Sequence, residues 1–188
     1  DKENTYLFGC KDLCALEFVP SLIEAGVASF KIEGRMKSLH YIATVVKTYR
    51  MMIDEYYETN DIKNLEYYQN FLSKAENRLT SHGFLRGMTK ISEQLYNSRK
   101  EKPTQDFIGI VKGNDKETKM CEVEVRNFFL PNSKLEIFGP KKKDTIIEIG
   151  DVYDVDGNIL DACRHPKTIV YFKTDLELEK YDMIRWVK

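Results

Sequence analysis

The most regular hydrophobic pattern in the chain follows Ser38. Between Ile42 and Tyr56, apolar residues recur at spacings of three and four, and charged residues occupy the opposite side. This period predicts an amphipathic helix, for which Ser38 is a suitable N-cap. A similar stripe predicts a second helix over residues 62–79. The aromatic residues follow the helical period, which favours core positions over a surface that stacks nucleic-acid bases.

The preceding residues alternate between strand and helix signals. Residues 5–14 predict a strand, residues 17–25 predict a short helix that ends at Gly26, and the alternation around Phe30 and Ile32 predicts a second strand. This order favours parallel strands with right-handed crossovers, as in an α/β barrel or an open α/β fold. Such folds carry their chemistry at the carboxyl ends of strands, where Cys14 would follow the first strand.

Near Thr104 the pattern changes to short alternating runs separated by turn residues. These runs predict a small antiparallel β-barrel or sandwich over residues 105–188. Residues 81–104 have no sustained period and contain Gly83, Gly87 and Pro103, as is typical of a linker. The predicted strands lie at residues 107–111, 121–125, 134–138, 145–149, 169–172 and 183–187.

Four charged residues lie close together where the second predicted strand gives way to the long helix. They are Lys31, Glu33, Arg35 and Lys37, with Gly34 breaking the strand pattern. The N–H groups of a helix start, beside Arg35 and Lys37, favour a phosphate or carboxylate, and Glu33 could orient a base or a sugar hydroxyl. A surface salt-bridge cluster is the alternative. We prefer a binding site, because so many charges directly after an apolar strand are unusual.

Composition narrows the functional classes only slightly. The chain has 188 residues, and 29 basic against 30 acidic side chains give a net charge of −1, so any binding to nucleic acid must come from a local patch. No apolar run approaches the roughly 20 residues that span a bilayer, and no signal-peptide pattern is present, so we expect a cytosolic protein without membrane contact. The absent initiator Met leaves open that the chain is a fragment.

Cysteines and lysines supply the remaining candidates. Cys121 and Cys163 lie in strand-like runs and are predicted to be buried. Cys14 could ligate a metal as a thiolate, but alone it cannot form a site. Three adjacent lysines could form a solvated turn or contact an RNA backbone. These residues are Lys141, Lys142 and Lys143.

Several longer motifs, in order and at fitting separations, resemble the collagenase-like peptidase family of unassigned catalytic type (peptidase family U, number 32). The resemblance covers nearly the whole chain and includes Lys31 to Ser38 as its most charged motif. The motifs lie at residues 11–14, 22–27, 31–38, 41–50, 81–87, 107–109, 135–140, 162–166 and 181–185.

The resemblance implies the C-terminal fragment of an α/β (TIM-like) barrel in residues 1–80, followed by an antiparallel β-barrel domain. Members with this architecture are implicated in prephenate-dependent hydroxylation of the tRNA wobble uridine at carbon 5, and others modify ribosomal RNA or act in quinone hydroxylation. Some relatives hold an iron–sulfur cluster through four cysteines, of which Cys14 would match one. The other ligands would lie largely before residue 1.

Under this reading, the charged motif supplies the active site and the β domain contacts tRNA. Catalytic roles fall to Glu33, which positions a polar group, and to Lys31, which supports it. Arg35 and Lys37, with Tyr41, would bind an anionic group of prephenate or tRNA.

Two alternatives stay open. The first is a collagenase-like peptidase, for which no nucleophile and base pair can be nominated. The second is a non-enzymatic RNA or protein docking module.

Overall fold

The computed structural model describes residues 11–75, 79–90 and 106–187. The chain divides into two compact units, Asp1–Thr104 and Gln105–Lys188. In the described residues, the first combines helices with a short pair of parallel strands, and the second is a curled antiparallel sheet. The predicted mixed α+β class is therefore confirmed. Of the helices described, none is both long and apolar enough to cross a membrane.

Two short strands open and close the described part of the first unit. Strand β1, Asp12–Leu13, pairs in parallel with β2, Thr80–Ser81. Thr80 and Ser81 lie where the sequence predicted the start of a linker, because a two-residue strand leaves no periodic signal. Residues 5–10 of the predicted first strand lie outside the described residues.

Helices fill the sequence between these strands. A 3₁₀ helix, Leu16–Phe18, leads into α1, Val19–Glu24. The long helix α2, Leu39–Thr59, begins at its Ser38 N-cap, whose hydroxyl accepts a hydrogen bond from Tyr41 N at 3.1 Å. It ends at Asn60, which adopts a left-handed conformation with φ 54°. The helix predicted after Ser38 is confirmed.

The third helix, α3, is shorter than predicted. It spans Leu65–Ser73, and the Asn64 side chain caps it by accepting a hydrogen bond from Tyr67 N at 3.0 Å. Residues 76–78, which the prediction included, lie outside the described residues. A hydrophobic cluster joins α2, α3 and the 3₁₀ helix, and it contains Leu16, Val19, Val45, Met52, Tyr68, Leu72 and Ala75.

The strand predicted around Phe30 and Ile32 is wrong. Residues 27–34 form no regular secondary structure, and Ile32 is exposed. Alternation alone cannot make a strand, because its N–H and C=O groups need a neighbouring strand. Within the described ranges, this segment has none.

Within residues 106–187, eight antiparallel strands form the sheet of the second unit. Their order across the sheet is β6-β5-β10-β3-β4-β9-β7-β8, so the last strand in sequence lies near the middle. The six predicted strands are present, whereas β7 and β8 were missed because each has two residues. The strands are β3 Phe107–Asn114, β4 Met120–Val125, β5 Lys134–Phe138, β6 Thr145–Glu148, β7 Val152–Tyr153, β8 Ile159–Leu160, β9 Ile169–Lys173 and β10 Met183–Val187.

Alternation along β4, β6 and β9 separates the interior of the sheet from an outer face. On β4, Cys121, Val123 and Val125 are fully buried, while the intervening residues are partly exposed. The interior side chains form a single cluster. A curled sheet that packs its inner face in this way leaves the outer face for contacts with other molecules.

Candidate functional site

In the first unit, the parallel strands bring two sequence-distant residues to the same end. Cys14 directly follows β1, and His82 directly follows β2. The N–H of Cys14 donates a hydrogen bond to the Ser81 carbonyl at 2.8 Å, which continues the pairing beyond the strands. The carboxyl ends of parallel strands are where α/β proteins place reactive groups. We call the side chains gathered here the strand-end cluster, defined by Asp12, Cys14, Glu17, Lys37, Tyr41, Tyr49, His82 and Arg86.

His82 is held by a carboxylate and an aromatic ring from the 3₁₀ helix. Its Nε2 lies 2.8 Å from Oε1 of Glu17, and the ring makes an edge contact with Phe18 at 5.4 Å between centroids. Arg86 also reaches Glu17. The carboxylate fixes the imidazole orientation, which suits a histidine that binds a ligand or moves a proton.

Lys37 is the member of the predicted charged site that joins the strand-end cluster. Its Nζ lies 2.7 Å from Oδ2 of Asp12 on β1 and 4.8 Å from the centre of the Tyr41 ring. Both ends of the ion pair are mostly shielded from solvent. The structure therefore brings together Lys37 and Tyr41, both predicted as substrate-binding residues.

Cys14 lies beside the hydroxyl of Tyr49 from α2. That hydroxyl accepts a hydrogen bond from Ala15 N at 3.0 Å. Burial, together with the Cys14 sulfur, raises the pKa of Tyr49 well above its usual value. Tyr49 therefore stays protonated and neutral through the physiological range, which makes it a positioning group for Cys14 rather than a base.

The other predicted residues of the charged motif lie at the surface. Lys31 Nζ is 3.6 Å from Glu33 Oε2, with the side chains 87% and 69% exposed. Arg35 is exposed as well. This is the geometry of a surface ion pair, which contributes little to stability and leaves both charges accessible. The catalytic roles of Lys31 and Glu33, and ligand binding by Arg35, stay predictions.

The described residues do not by themselves fit an iron–sulfur cluster. Such a cluster needs four thiolates, and within residues 11–75, 79–90 and 106–187 no group of three potential metal ligands occurs. Cys121 and Cys163 are buried in the sheet of the second unit, where burial raises the pKa of each thiol to about 12. Their predicted core positions are confirmed. Cys10 lies outside the described residues.

The three adjacent lysines of the second unit lie in two different environments. Lys142 Nζ lies 2.9 Å from Oδ2 of the buried Asp182 and also donates to the Glu177 carbonyl. Lys141 and Lys143 are exposed. Lys142 therefore stabilises the fold, and RNA contact by Lys141, Lys142 and Lys143 stays a prediction.

Comparison with known proteins identifies the family. Residues 1–95 match the sequence profile of peptidase family U32, and residues 103–185 match that of the peptidase family U32 C-terminal domain. The chain belongs to peptidase family U32. The strand-end cluster lies within the first of these matches, and the second covers the antiparallel sheet except for residues 186 and 187.

Relatives within this family carry two kinds of name. "tRNA hydroxylation protein P1" of Bacillus subtilis is 40% identical over 98% of this chain, which spans 44% of that relative. "tRNA hydroxylation protein P" of Escherichia coli is 32% identical over 75% of this chain and 31% of its own length. A collagenase of Porphyromonas gingivalis is 34% identical over 46% of this chain and 24% of its own length. The chain thus spans less than half the length of these relatives.

A solved structure also matches the second half of the chain. The C-terminal domain of a Geobacillus thermoleovorans protein assigned to the U32 peptidases is 42% identical, with a TM-score of 0.43. The match covers 46% of this chain and 98% of that one.

Sequence reasoning missed about half of the strand-end cluster. Asp12, Glu17, Tyr49 and Arg86 were not proposed, and His82 was included only within the motif at residues 81–87. Glu17 and His82 are 65 positions apart in the sequence, so only the pairing of β1 with β2 brings them together. One signal in the sequence could have indicated the cluster. Cys14 and His82 each directly follow a short segment that polar residues flank.

Proposed function

We propose that this chain is the C-terminal part of a tRNA-hydroxylating protein. The observation that carries the proposal is its 40% identity, over 98% of its length, to tRNA hydroxylation protein P1 of Bacillus subtilis. In finer terms, the proposed reaction is 5-hydroxylation of the wobble uridine in the cytoplasm, with prephenate as the source of the hydroxyl group. The strand-end cluster supplies part of the active site, and the remainder comes from the rest of the full-length protein.

The charges of the first unit suit this chemistry. Prephenate is a dicarboxylate and tRNA is a polyanion, so a cationic contact is needed for either. Lys37 is positioned by Asp12 and Tyr41 to present one charge, and Arg35 is exposed and able to reach a second anionic group. Glu33 and Lys31 then position a polar group of the substrate.

An iron–sulfur cluster remains part of the proposal for the full-length protein only. Cys14 would supply one thiolate, and cysteines from the rest of that protein would supply the others. Such a cluster would provide one-electron chemistry. The roles assigned here to Lys37, Arg35 and Glu33 concern binding and orientation.

The test is complementation of a deletion strain with the full-length protein. We expect Arg35→Ala and Lys37→Ala to lower 5-hydroxyuridine in total tRNA at least tenfold by mass spectrometry. Arg50→Ala is the matched control, because Arg50 is an exposed arginine paired with Asp54 on the outer side of α2. An unchanged level of hydroxyuridine in the deletion strain would contradict the proposed function. An unchanged level in the strain with Arg35→Ala would contradict only the role proposed for Arg35.

Peptide hydrolysis is the second candidate, favoured by the similarity to the Porphyromonas gingivalis collagenase. A peptidase needs an activated nucleophile or a metal-bound water. Among the described residues, His82 contacts Glu17 and Phe18, which is the arrangement of an oriented imidazole but includes no nucleophile. Gelatin degradation by homogeneous full-length protein, lost in Glu33→Ala, would favour this candidate over hydroxylation.

A further inference from the structure

A depression of about 430 Å³ lies on the outer face of the sheet in the second unit. Strands β4 and β9 form its floor, and the turn between β7 and β8 forms one wall. We propose that this depression binds one unpaired nucleotide of an RNA, with the base on its tyrosines and a phosphate on Lys173. The proposal rests on the proposed function, because tRNA is the RNA that the full-length protein would hold.

Two tyrosines line the depression side by side. Tyr153 on β7 and Tyr171 on β9 are directly opposite each other in the antiparallel pairing, so both side chains project from the same face. Their neighbours Val152 and Phe172 are fully buried, which assigns the tyrosines to the outer face. Each is only partly buried. Aromatic rings held on a sheet surface are the usual platform for unpaired bases.

The hydroxyls of these two tyrosines are not used by the fold. Within residues 106–187, neither makes a hydrogen bond. Buried or half-buried tyrosines of the first unit behave differently, since Tyr56 donates to Glu24 and Tyr68 donates to Glu55. A half-exposed tyrosine pair that packs no hydrophobic core and holds no carboxylate is available to a ligand.

A cation lies next to the tyrosines. Lys173 is exposed, follows Tyr171 by two positions on the same face of β9, and is opposite Met120 of β4. Within the described second unit it forms no ion pair, unlike Lys112, Lys116 and Lys119. Because Asp154 and Glu122 carry negative charge on this face, we place the phosphate on the Lys173 side.

The wall of the depression is preorganised. Asp154 accepts hydrogen bonds from the N–H groups of Asp156 and Asn158 and from the Asn158 side chain, at 2.8 to 3.0 Å. These bonds hold the pKa of Asp154 below its usual value, so the turn stays fixed by a carboxylate. They also hold Val155, which is 68% exposed, at the rim. An apolar rim over aromatic rings suits the flat face of a base.

Single-stranded RNA fits this combination better than a double helix. A duplex presents phosphates and hydroxyls, but its base faces are stacked inside the helix. A duplex therefore cannot stack a base on the tyrosines of the depression. The depression has the volume of small-ligand sites, which begin at about 300 Å³. A looped-out or single-stranded nucleotide offers both the base and the phosphate that the lining residues can bind.

The test uses the 188-residue chain and fluorescence anisotropy. The probe is a labelled 17-nucleotide RNA hairpin with a seven-nucleotide loop, compared with a fully paired RNA duplex of similar length. We expect the hairpin to bind more tightly, Tyr153→Ala and Tyr171→Ala to weaken its binding about tenfold each, and Lys173→Ala to weaken it about threefold with a shallower salt dependence.

Matched controls separate stacking from charge and from unfolding. Tyr153→Phe and Tyr171→Phe keep the rings and should bind as the unmodified chain does. Lys134→Ala removes an exposed lysine of β5 outside the depression and should leave binding unchanged. Thermal unfolding of each variant establishes that the sheet is intact. Equal affinity for hairpin and duplex, no RNA binding at all, or full affinity in folded Tyr171→Ala would each overturn the proposal.

A second arm keeps this proposal distinct from the proposed function. Full-length Tyr171→Ala is introduced into the deletion strain, and 5-hydroxyuridine is measured. If the deletion strain itself retains hydroxyuridine, the function fails while tyrosine-dependent hairpin binding still supports the site. If hydroxyuridine depends on the protein but hairpin binding does not depend on the tyrosines, the site fails while the function stands.

Discussion

Two sets of charged side chains, one from each unit, occupy opposite environments. In the first, Lys31 and Glu33 form an ion pair that is almost wholly in solvent. In the second, Arg185 and Asp182 are each 2% exposed and paired with partners from other parts of the sheet. Charges that the fold has buried must be paired to stay there, whereas exposed charges remain free to meet a ligand.

The contrast teaches that a charged motif is not by itself a site. Arg185 lies directly opposite Glu136 in the pairing of β10 with β5, at 2.9 Å, and over the Phe138 ring at 3.8 Å. It therefore holds two strands together. Lys31, Glu33 and Arg35 of the charged motif lie at the surface, which is why we look there for chemistry.

The largest effect is expected from Arg185→Ala. It removes the guanidinium group from the buried Glu136 carboxylate, and breaking a buried pair from one side costs about 3–5 kcal/mol. Urea unfolding of the chain measures this loss. Arg164→Ala is the control, since the Arg164–Asp161 pair is exposed and should contribute less than about 1 kcal/mol. Similar losses in the free energy of unfolding for the two variants would contradict the difference between buried and exposed charges.

Lys142→Met should cost less, about 2–3 kcal/mol, because the Lys142 side chain lies closer to solvent than that of Asp182. The substitution removes the ammonium from a carboxylate that stays buried. Lys141→Met, one position away and exposed, should change the free energy of unfolding by less than about 0.5 kcal/mol. Equal effects at both positions would contradict a structural role specific to Lys142.

Gly139→Ala tests the space beside the same carboxylate. A Cβ at Gly139 would lie 1.9 Å from Oδ1 of Asp182, so the carboxylate would have to move away from Lys142. We expect a loss of about 2 kcal/mol, as for overpacked interiors. Gly150→Ala is the control, because a Cβ there meets nothing within 4 Å. A neutral Gly139→Ala variant would show that the Asp182 position is adaptable.

Alkaline pH should weaken the second unit through its buried thiols. Burial raises the pKa of Cys121 and Cys163 from 9.0 to about 12, so between these values the folded state retains protons that the unfolded chain releases. This stability is therefore present below pH 9 and falls above it, by about 1.4 kcal/mol per thiol at pH 10. Urea unfolding at pH 8 and pH 10 checks this, and Cys163→Ala should show a smaller decrease.

The smallest effect is expected from Lys31→Ala and Glu33→Ala. Each removes one partner of an exposed pair and should change the free energy of unfolding by less than about 0.5 kcal/mol. A large loss in either variant would mean that the charged motif is structural, and would remove the reason to seek chemistry there. Thermal unfolding of the chain is sufficient to decide this.

Local patterns predicted the parts of the fold that depend on local physics. The hydrophobic period of α2 and its Ser38 N-cap could be recognised in the sequence, because both depend on residues about one helical turn apart. The six longer strands could be recognised because each is a short apolar-rich run bounded by turn residues, and three of them, β4, β6 and β9, also alternate in burial. The strand predicted around Phe30 is wrong, because alternation alone does not form a strand when no neighbouring strand pairs with it.

Contacts between distant residues could not be predicted. Lys142 meets Asp182 across 40 positions, and Lys37 meets Asp12 across 25. Neither pair leaves a periodic signal, and only strand order brings the partners together. For this reason the three lysines looked equivalent in the sequence, although one of them is bound inside the fold.

The position of β10 has a consequence for protein synthesis. This strand, which ends at Val187, lies between β5 and β3, and it pairs with residues made more than 70 positions earlier. A nascent chain on the ribosome therefore holds β3 and β5 with their central partner missing until residue 187 has left the exit tunnel. Closure of the sheet is a late, long-range event, and chains halted before residue 183 would expose two unpaired strand edges that favour aggregation.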